Sequence, residues 1–167
     1  ASGKSFGLAG PQQLNFQFDA AIRQSLTISV ENGNEPIVWE QFGELPFGLH
    51  SHRNRGEIDG TPLEMGDFNV TLHAADAIGL TASAALSISV GPPTLGLRAM
   101  ANQFLRSDPM DPNVAAFLDY HGNQDDEYDL GDFRAWILAN PGHPVTQMMR
   151  AADPIVVPLF LRKEDSR

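Results

Sequence analysis

Apolar and polar residues alternate at four places in the first half of the chain: Leu14, Phe16 and Phe18; Leu26, Ile28 and Val30; Phe68, Val70 and Leu72; and Leu86, Ile88 and Val90. A period of two places one set of side chains on one face of an extended strand, so each run predicts a half-buried strand. Turn-rich stretches lie between them, at Glu31–Asn34, Arg53–Gly56, Asp59–Pro62 and Asp76–Gly79. Short strands at such spacing predict a small antiparallel sandwich. The pattern changes at Gly91-Pro92-Pro93. Beyond it, Leu97, Ala101, Phe104 and Leu105 fall on one helical face behind a capping Thr94. Asp111-Pro112 then opens a second helix carrying Val114, Phe117 and Leu118. After an acidic loop, Phe133, Trp136 and Ile137 share the same spacing until Asn140-Pro141-Gly142 stops the helix. The expected organisation is a sandwich over 1–91, a helical unit over 92–142 and an extended C-terminal arm over 143–167.

Composition narrows the classes of function. The chain has 167 residues, 42% hydrophobic and 19% charged, with 15 Gly and 12 Pro, the make-up of a globular protein with many turns. A balance of 21 acids against 11 bases gives a net charge of -10, the wrong sign for a phosphate backbone, and the densest basic group is only Arg53 with Arg55. Nucleic acid is therefore not an expected partner. The apolar run Ile155–Leu161, with Pro158 inside it, falls far short of the roughly 20 residues that span a bilayer. With no Cys there is neither disulfide nor thiolate chemistry, and the redox compartment stays open. The opening Ala1-Ser2-Gly3 fits a terminus left by signal processing or an arbitrary chain end.

Six short motifs occur in order: Pro36-Ile-Val-Trp39, Leu45-Pro-Phe-Gly-Leu49, Gly56-Glu-Ile-Asp-Gly-Thr-Pro62, Gly66-Asp-Phe-Asn-Val-Thr-Leu72, Asp76-Ala-Ile-Gly-Leu-Thr-Ala82 and Leu86-Ser-Ile-Ser-Val90. Together they make residues 14–90 resemble the immunoglobulin-like, or cadherin-like, repeat of bacterial extracellular proteins. The resemblance implies a scaffold and an extracytoplasmic (periplasmic or secreted) location, with no catalytic group. The residues have a physical reading as well: Gly60 permits a tight turn, Pro62 ends a strand without needing a ladder donor, and Trp39 fills a core.

Between Asp119 and Asp132 the chain carries a dense run of acids with no base, which repel one another unless solvated or bridged by a hard cation. Calcium loops place oxygen ligands at positions 1, 3, 5, 7, 9 and 12. With Asp132 at position 12, Asn123 falls at 3, Asp125 at 5, the Glu127 carbonyl at 7 and Asp129 at 9. His121 stands at position 1, a poor calcium ligand, and Asp126 at position 6 where glycine is usual; Asp tolerates positive φ better than most side chains. The segment Leu118–Trp136 resembles a dockerin or EF-hand-like unit with one loop where a dockerin has two. Ca2+ held by Asn123, Asp125, Glu127, Asp129 and Asp132 is one expectation. A metal-free turn, with the same side chains bonding backbone amides, is the other.

Other candidates carry less. His50 and His52 would share one side of a strand, a transition-metal pair without a third ligand, for which a solvated loop is the plainer reading. His73 falls on the polar side of its strand and His143 in a Pro-Gly turn. Asn69-Val-Thr71 is a glycosylation sequon. No nucleophile elbow, phosphate loop or dinucleotide fingerprint occurs, so an enzyme reading has no residue to rest on. The tail, by contrast, concentrates Ile155, Val157, Leu159, Phe160 and Leu161 between prolines and charges; it either folds back over the chain's own core or lies as an extended arm on another protein. The leading expectation is a non-catalytic extracytoplasmic module that attaches to or stabilises a larger assembly, such as an extrinsic subunit of an integral-membrane complex. The alternative is a carbohydrate- or cell-wall-binding accessory module of a secreted enzyme, which calls for a coplanar patch drawn from Trp39, Trp136, Tyr120 and Tyr128.

Overall fold

The computed structural model describes residues 6–9, 11–95 and 109–152. The chain divides into two units, Ala1–Pro93 and Thr94–Arg167.

The first unit is built from strands. A four-stranded sheet has the order β2 (Gln13–Asp19), β9 (Thr81–Gly91), β8 (Gly66–Ala75), β5 (Val38–Phe42), and a three-stranded sheet the order β3 (Gln24–Thr27), β7 (Glu57–Gly60), β6 (Leu49–His52). The short strands β1 (Gly7–Leu8) and β4 (Val30–Glu31) pair as a ribbon. Alternation does the sorting. Val70, Leu72 and Ala74 on β8 and Ala84, Leu86, Ile88 and Val90 on β9 are buried, while the residues between them face outward. Leu26, Leu49 and Ile58 contribute the inner face of the smaller sheet, giving a mainly β, sandwich-like fold of immunoglobulin-like strand order.

Two details differ from the sequence reading. The sandwich is not wholly antiparallel: β2 runs parallel to β9, pairing Leu14 with Leu86, Phe16 with Ile88 and Phe18 with Val90. Alternation marks a buried face but is blind to strand direction. The run Leu26, Ile28, Val30 is also not one strand. The Ile28 amide still bonds the Gly56 carbonyl at 2.8 Å, one step beyond the Thr27–Glu57 pair, but the Ser29 carbonyl already takes the Ala9 amide at 2.9 Å and Val30 pairs with Leu8 of β1. Gly56 permits the close approach at the end of this ladder. Its φ is 59°, and a Cβ there would strike the Ile28 carbonyl oxygen and the Trp39 indole.

In the second unit, α1 (Pro112–Tyr120), α2 (Leu130–Ala139) and α3 (Pro144–Ala152) are described. Asp111 caps α1 by accepting the Asn113 N–H at 2.8 Å, with Pro112 inside the first turn. Asp129 caps α2 and forms a capping box with Asp132. Phe117 and Trp136, 0% and 1% exposed, meet edge to face at 5.2 Å and anchor a small core with Leu118, Phe133, Ile137 and Val145. The helix expected at Leu97–Leu105 lies outside the described residues.

The arm expected from residue 143 begins instead as α3. Pro144 occupies the first turn, where its missing N–H costs nothing, and His143 Nδ1 accepts the Val145 N–H at 3.3 Å, capping the helix in place of Ser or Asp. Val145 and Thr146 are buried. The tail residues Ile155, Val157, Leu159, Phe160 and Leu161 lie outside the described residues.

Candidate functional site

The acidic loop joins α1 to α2, and the carboxylates of Asp119, Asp125, Asp129 and Asp132 are turned onto its own backbone. Asp132, 0% exposed, accepts the Asn123 N–H on Oδ1 at 2.9 Å and the Asp129 N–H on Oδ2 at 2.8 Å. Asp129 Oδ1 accepts the amides of Gly131 and Asp132. Asp119, at the end of α1, reaches into the loop and accepts the Asp125 N–H at 3.0 Å. Asn123 donates its side-chain amide to Asp125 Oδ2 at 2.8 Å and accepts the Asp125 N–H, while Asp125 Oδ1 accepts the Glu127 N–H at 3.1 Å. The expected turn residue Asp126 takes φ 67°, next to Gln124 at 61°. Between these acids the Tyr128 phenol is held well above its ordinary pKa by burial, then by the charges of Asp132 and Asp129.

In the structure these donors are engaged with one another and with backbone amides, as the metal-free turn expects. Asn123 turns both its NH2 and its oxygen to Asp125, and both oxygens of Asp132 hold backbone amides. Among the described residues no three His, Asp or Glu side chains gather where they could hold a metal ion. The five expected ligands share this one loop, with the side chains of Asn123, Asp125, Asp129 and Asp132 closing its turns.

A second polar constellation lies on the outer face of the smaller sheet. His50 and His52 sit on β6, a strand rather than a loop, and β7 sets Asp59 opposite His50 and Glu57 opposite His52. His52 Nε2 is 2.6 Å from Asp59 Oδ1, and Arg23 donates to Asp59 Oδ2 at 2.9 Å. The hydrogen bond to His52 is the main cause holding the Asp59 carboxyl below its ordinary pKa; partial burial opposes it, and the charges of His52 and Arg23 add to it. The sequence reading named the two histidines but not Asp59 or Arg23.

The third feature is the tip of the β8–β9 hairpin. Asp76, 7% exposed, takes the Asn34 backbone N–H and side-chain amide on Oδ2, at 3.2 and 2.9 Å, and the amides of Ile78 and Leu80 on Oδ1, at 3.0 and 2.8 Å. Two aliphatic side chains stand in solvent on this clamped turn, Ile78 at 70% and Leu80 at 46% exposure. By contrast the aromatic patch needed for sugar stacking is not supplied by tryptophan, since Trp39 and Trp136 are 6% and 1% exposed. Tyr120 and Tyr128 are half-buried.

No protein-family model and no curated protein matches the chain. Among solved structures it is similar to a protein assigned as an alpha-galactosidase/melibiase from Bacteroides fragilis NCTC 9343, at 29% identity and TM-score 0.43 over 52% of this chain. A second, assigned as an alpha-galactosidase from the same organism, matches at 22% identity and TM-score 0.43 over 61% of this chain. The chain spans 17% and 26% of the length of those two proteins. It is also similar to the PKD domain of human KIAA0319, at 12% identity and TM-score 0.38, over 57% of this chain and 96% of that domain.

Proposed function

We propose that this chain is a non-catalytic, extracytoplasmic protein-interaction module that attaches to or stabilises a larger assembly, as an extrinsic subunit of an integral-membrane complex would. The observation that carries the reading is the β8–β9 tip, where a buried carboxylate spends four hydrogen bonds to hold Ile78 and Leu80 in water. Burying such a side chain is worth roughly 1.5–3 kcal/mol, and a turn that is already ordered loses little entropy on docking. The acids described above act as helix caps and turn closures, a scaffold use of carboxylates. The apolar tail Ile155, Val157, Leu159, Phe160 and Leu161 would add anchors on the same partner. The extracytoplasmic placement rests on the resemblance of residues 14–90 to the bacterial immunoglobulin-like repeat.

The test pairs two variants in the envelope fraction of the source organism. A photo-crosslinker at Ile78 should capture a discrete partner that the same group at Asn15, exposed on β2, does not. Truncation after Ala152 should weaken that capture without lowering the melting temperature. Equal labelling from both positions refutes the tip; a truncated chain that melts several degrees lower and still binds places the tail in the chain's own core.

A further inference from the structure

We infer that His50 and His52 form a surface clasp for a divalent transition-metal ion, with Asp59 fixing the orientation of the His52 ring. Two residues apart on β6, the imidazoles leave the strand on the same side. Leu49 is buried on the opposite side at 5% exposure, so the histidines face outward, and His50 is exposed. The β6–β7 register then brings carboxylates to them, Asp59 across from His50 and Glu57 across from His52.

The hydrogen bonds decide which nitrogen is available. Asp59 is ionised and can only accept, so the His52 nitrogen lying 2.6 Å away, Nε2, carries the proton. When the ring binds a metal it does so as the neutral tautomer with the proton on Nε2, and Nδ1 then offers the lone pair. A carboxylate on one ring nitrogen and a metal on the other is the arrangement by which proteins fix an imidazole ligand and raise its basicity. Arg23 remains on the second oxygen of Asp59, which keeps that carboxylate as an orienting group. His50 supplies the second nitrogen by turning its exposed side chain toward Nδ1 of His52.

Two imidazoles select the metal class. Zinc, copper and nickel accept nitrogen ligands readily, whereas calcium and magnesium take oxygen. Since no third His, Asp or Glu completes a closed site among the described residues, the clasp is bidentate, and a tetrahedral ion such as Zn2+ keeps two positions for water or an outside ligand.

The experiment is calorimetric titration of the full chain with Zn2+, together with 15N spectra of the imidazole rings. One equivalent should bind, moving the His52 Nδ1 resonance while Nε2 stays protonated. His50→Gln, at an exposed position, should abolish that signal with an unchanged melting temperature, and His73→Gln should not. Asp59→Asn should weaken binding about 10- to 100-fold. No uptake by the natural chain overturns the proposal. So does a His50→Gln/His52→Gln double variant that binds with unchanged affinity and stoichiometry, which would put the ion on His73, His121, His143 or the acidic loop. Natural affinity in Asp59→Asn removes the orienting role of that carboxylate.

Discussion

Replacing Asp132 by Asn should lower the melting temperature of the helical unit by the same amount in calcium and in chelator. The carboxylate is fully buried and holds two amides, that of Asn123 on one oxygen and that of Asp129 on the other. Asparagine keeps one acceptor oxygen and turns an NH2 toward the second amide, so one buried donor is left unpaired, at a cost of about 1–3 kcal/mol. The amide at risk on Oδ2 belongs to Asp129, the cap of α2, so the capping box opens at the same time. For a unit of this size 1 kcal/mol shifts the melting temperature by roughly 4–8 °C; a central loss of about 2 kcal/mol therefore predicts a fall of about 8–16 °C. Asp132→Ala should fall further, because both amides lose their acceptor. Trp136, buried in this unit at 1% exposure, reports the transition by fluorescence once Trp39 of the sandwich is replaced by Phe. The reasoning is refuted if Asp132→Asn melts like the natural chain. It is refuted equally if calcium stabilises the natural chain and the variant's deficit appears only with calcium, for then the carboxylate serves a cation rather than the amides.

At Asp76 burial opposes ionisation, but the bonds from the Asn34 side chain and from the amides of Leu80, Asn34 and Ile78 outweigh it and leave the pKa below its ordinary 3.8. A carboxylate depressed in the folded state stabilises above its unfolded pKa and loses that contribution as pH falls through the folded one. The difference in melting temperature between the natural chain and Asp76→Asn should thus be full at neutral pH and shrink once pH drops below about 4; a difference that persists undiminished in strong acid would show that charge is not what holds the tip. Gly56→Ala should cost about 3 kcal/mol, from a side chain forced to positive φ and overpacked against Ile28 and Trp39. Urea unfolding followed through Trp39 measures this, and a loss below about 0.5 kcal/mol, the scale of an ordinary surface change, would contradict the close approach.

The burial pattern was legible because a long strand exposes its period directly. Phe68–Leu72 and Leu86–Val90 alternate within β8 and β9, the two longest strands, and their inner residues are buried as the period requires, apart from half-buried Phe68 near the strand's start. The strands β5, β6 and β7 are only four or five residues long, too short for alternation to stand out, and they surfaced through motifs such as Pro36–Trp39 and Gly56–Pro62. Strand direction was not legible at all. The parallel pairing of β2 with β9 depends on where the chain has travelled in between, and a period of two is the same read forwards or backwards. Helix α3 was missed for a related reason: its cap is a histidine, outside the usual Ser, Thr, Asp and Asn set.

The clasp on the outer face shows how a site can be half written in a sequence. Read along the chain, His50 and His52 are two ligands without a third group, and a solvated loop is the plainer assignment. Yet Arg53–Gly56 reads as a four-residue turn, and a hairpin closed by such a turn has a register that can be counted outward: 52 opposite 57, then 51 opposite 58, then 50 opposite 59. The observed pairs are those. Alternation around buried Ile58, 1% exposed, then turns Glu57 and Asp59 to the same side as the histidines. What no count supplies is the diagonal bond from His52 to Asp59, which follows from strand twist and side-chain rotamer, or the arrival of Arg23 from β3's approach to close the far side of that carboxylate. Those two contacts turn a pair of surface histidines into one oriented ring beside a second, and they are set by tertiary packing rather than by spacing.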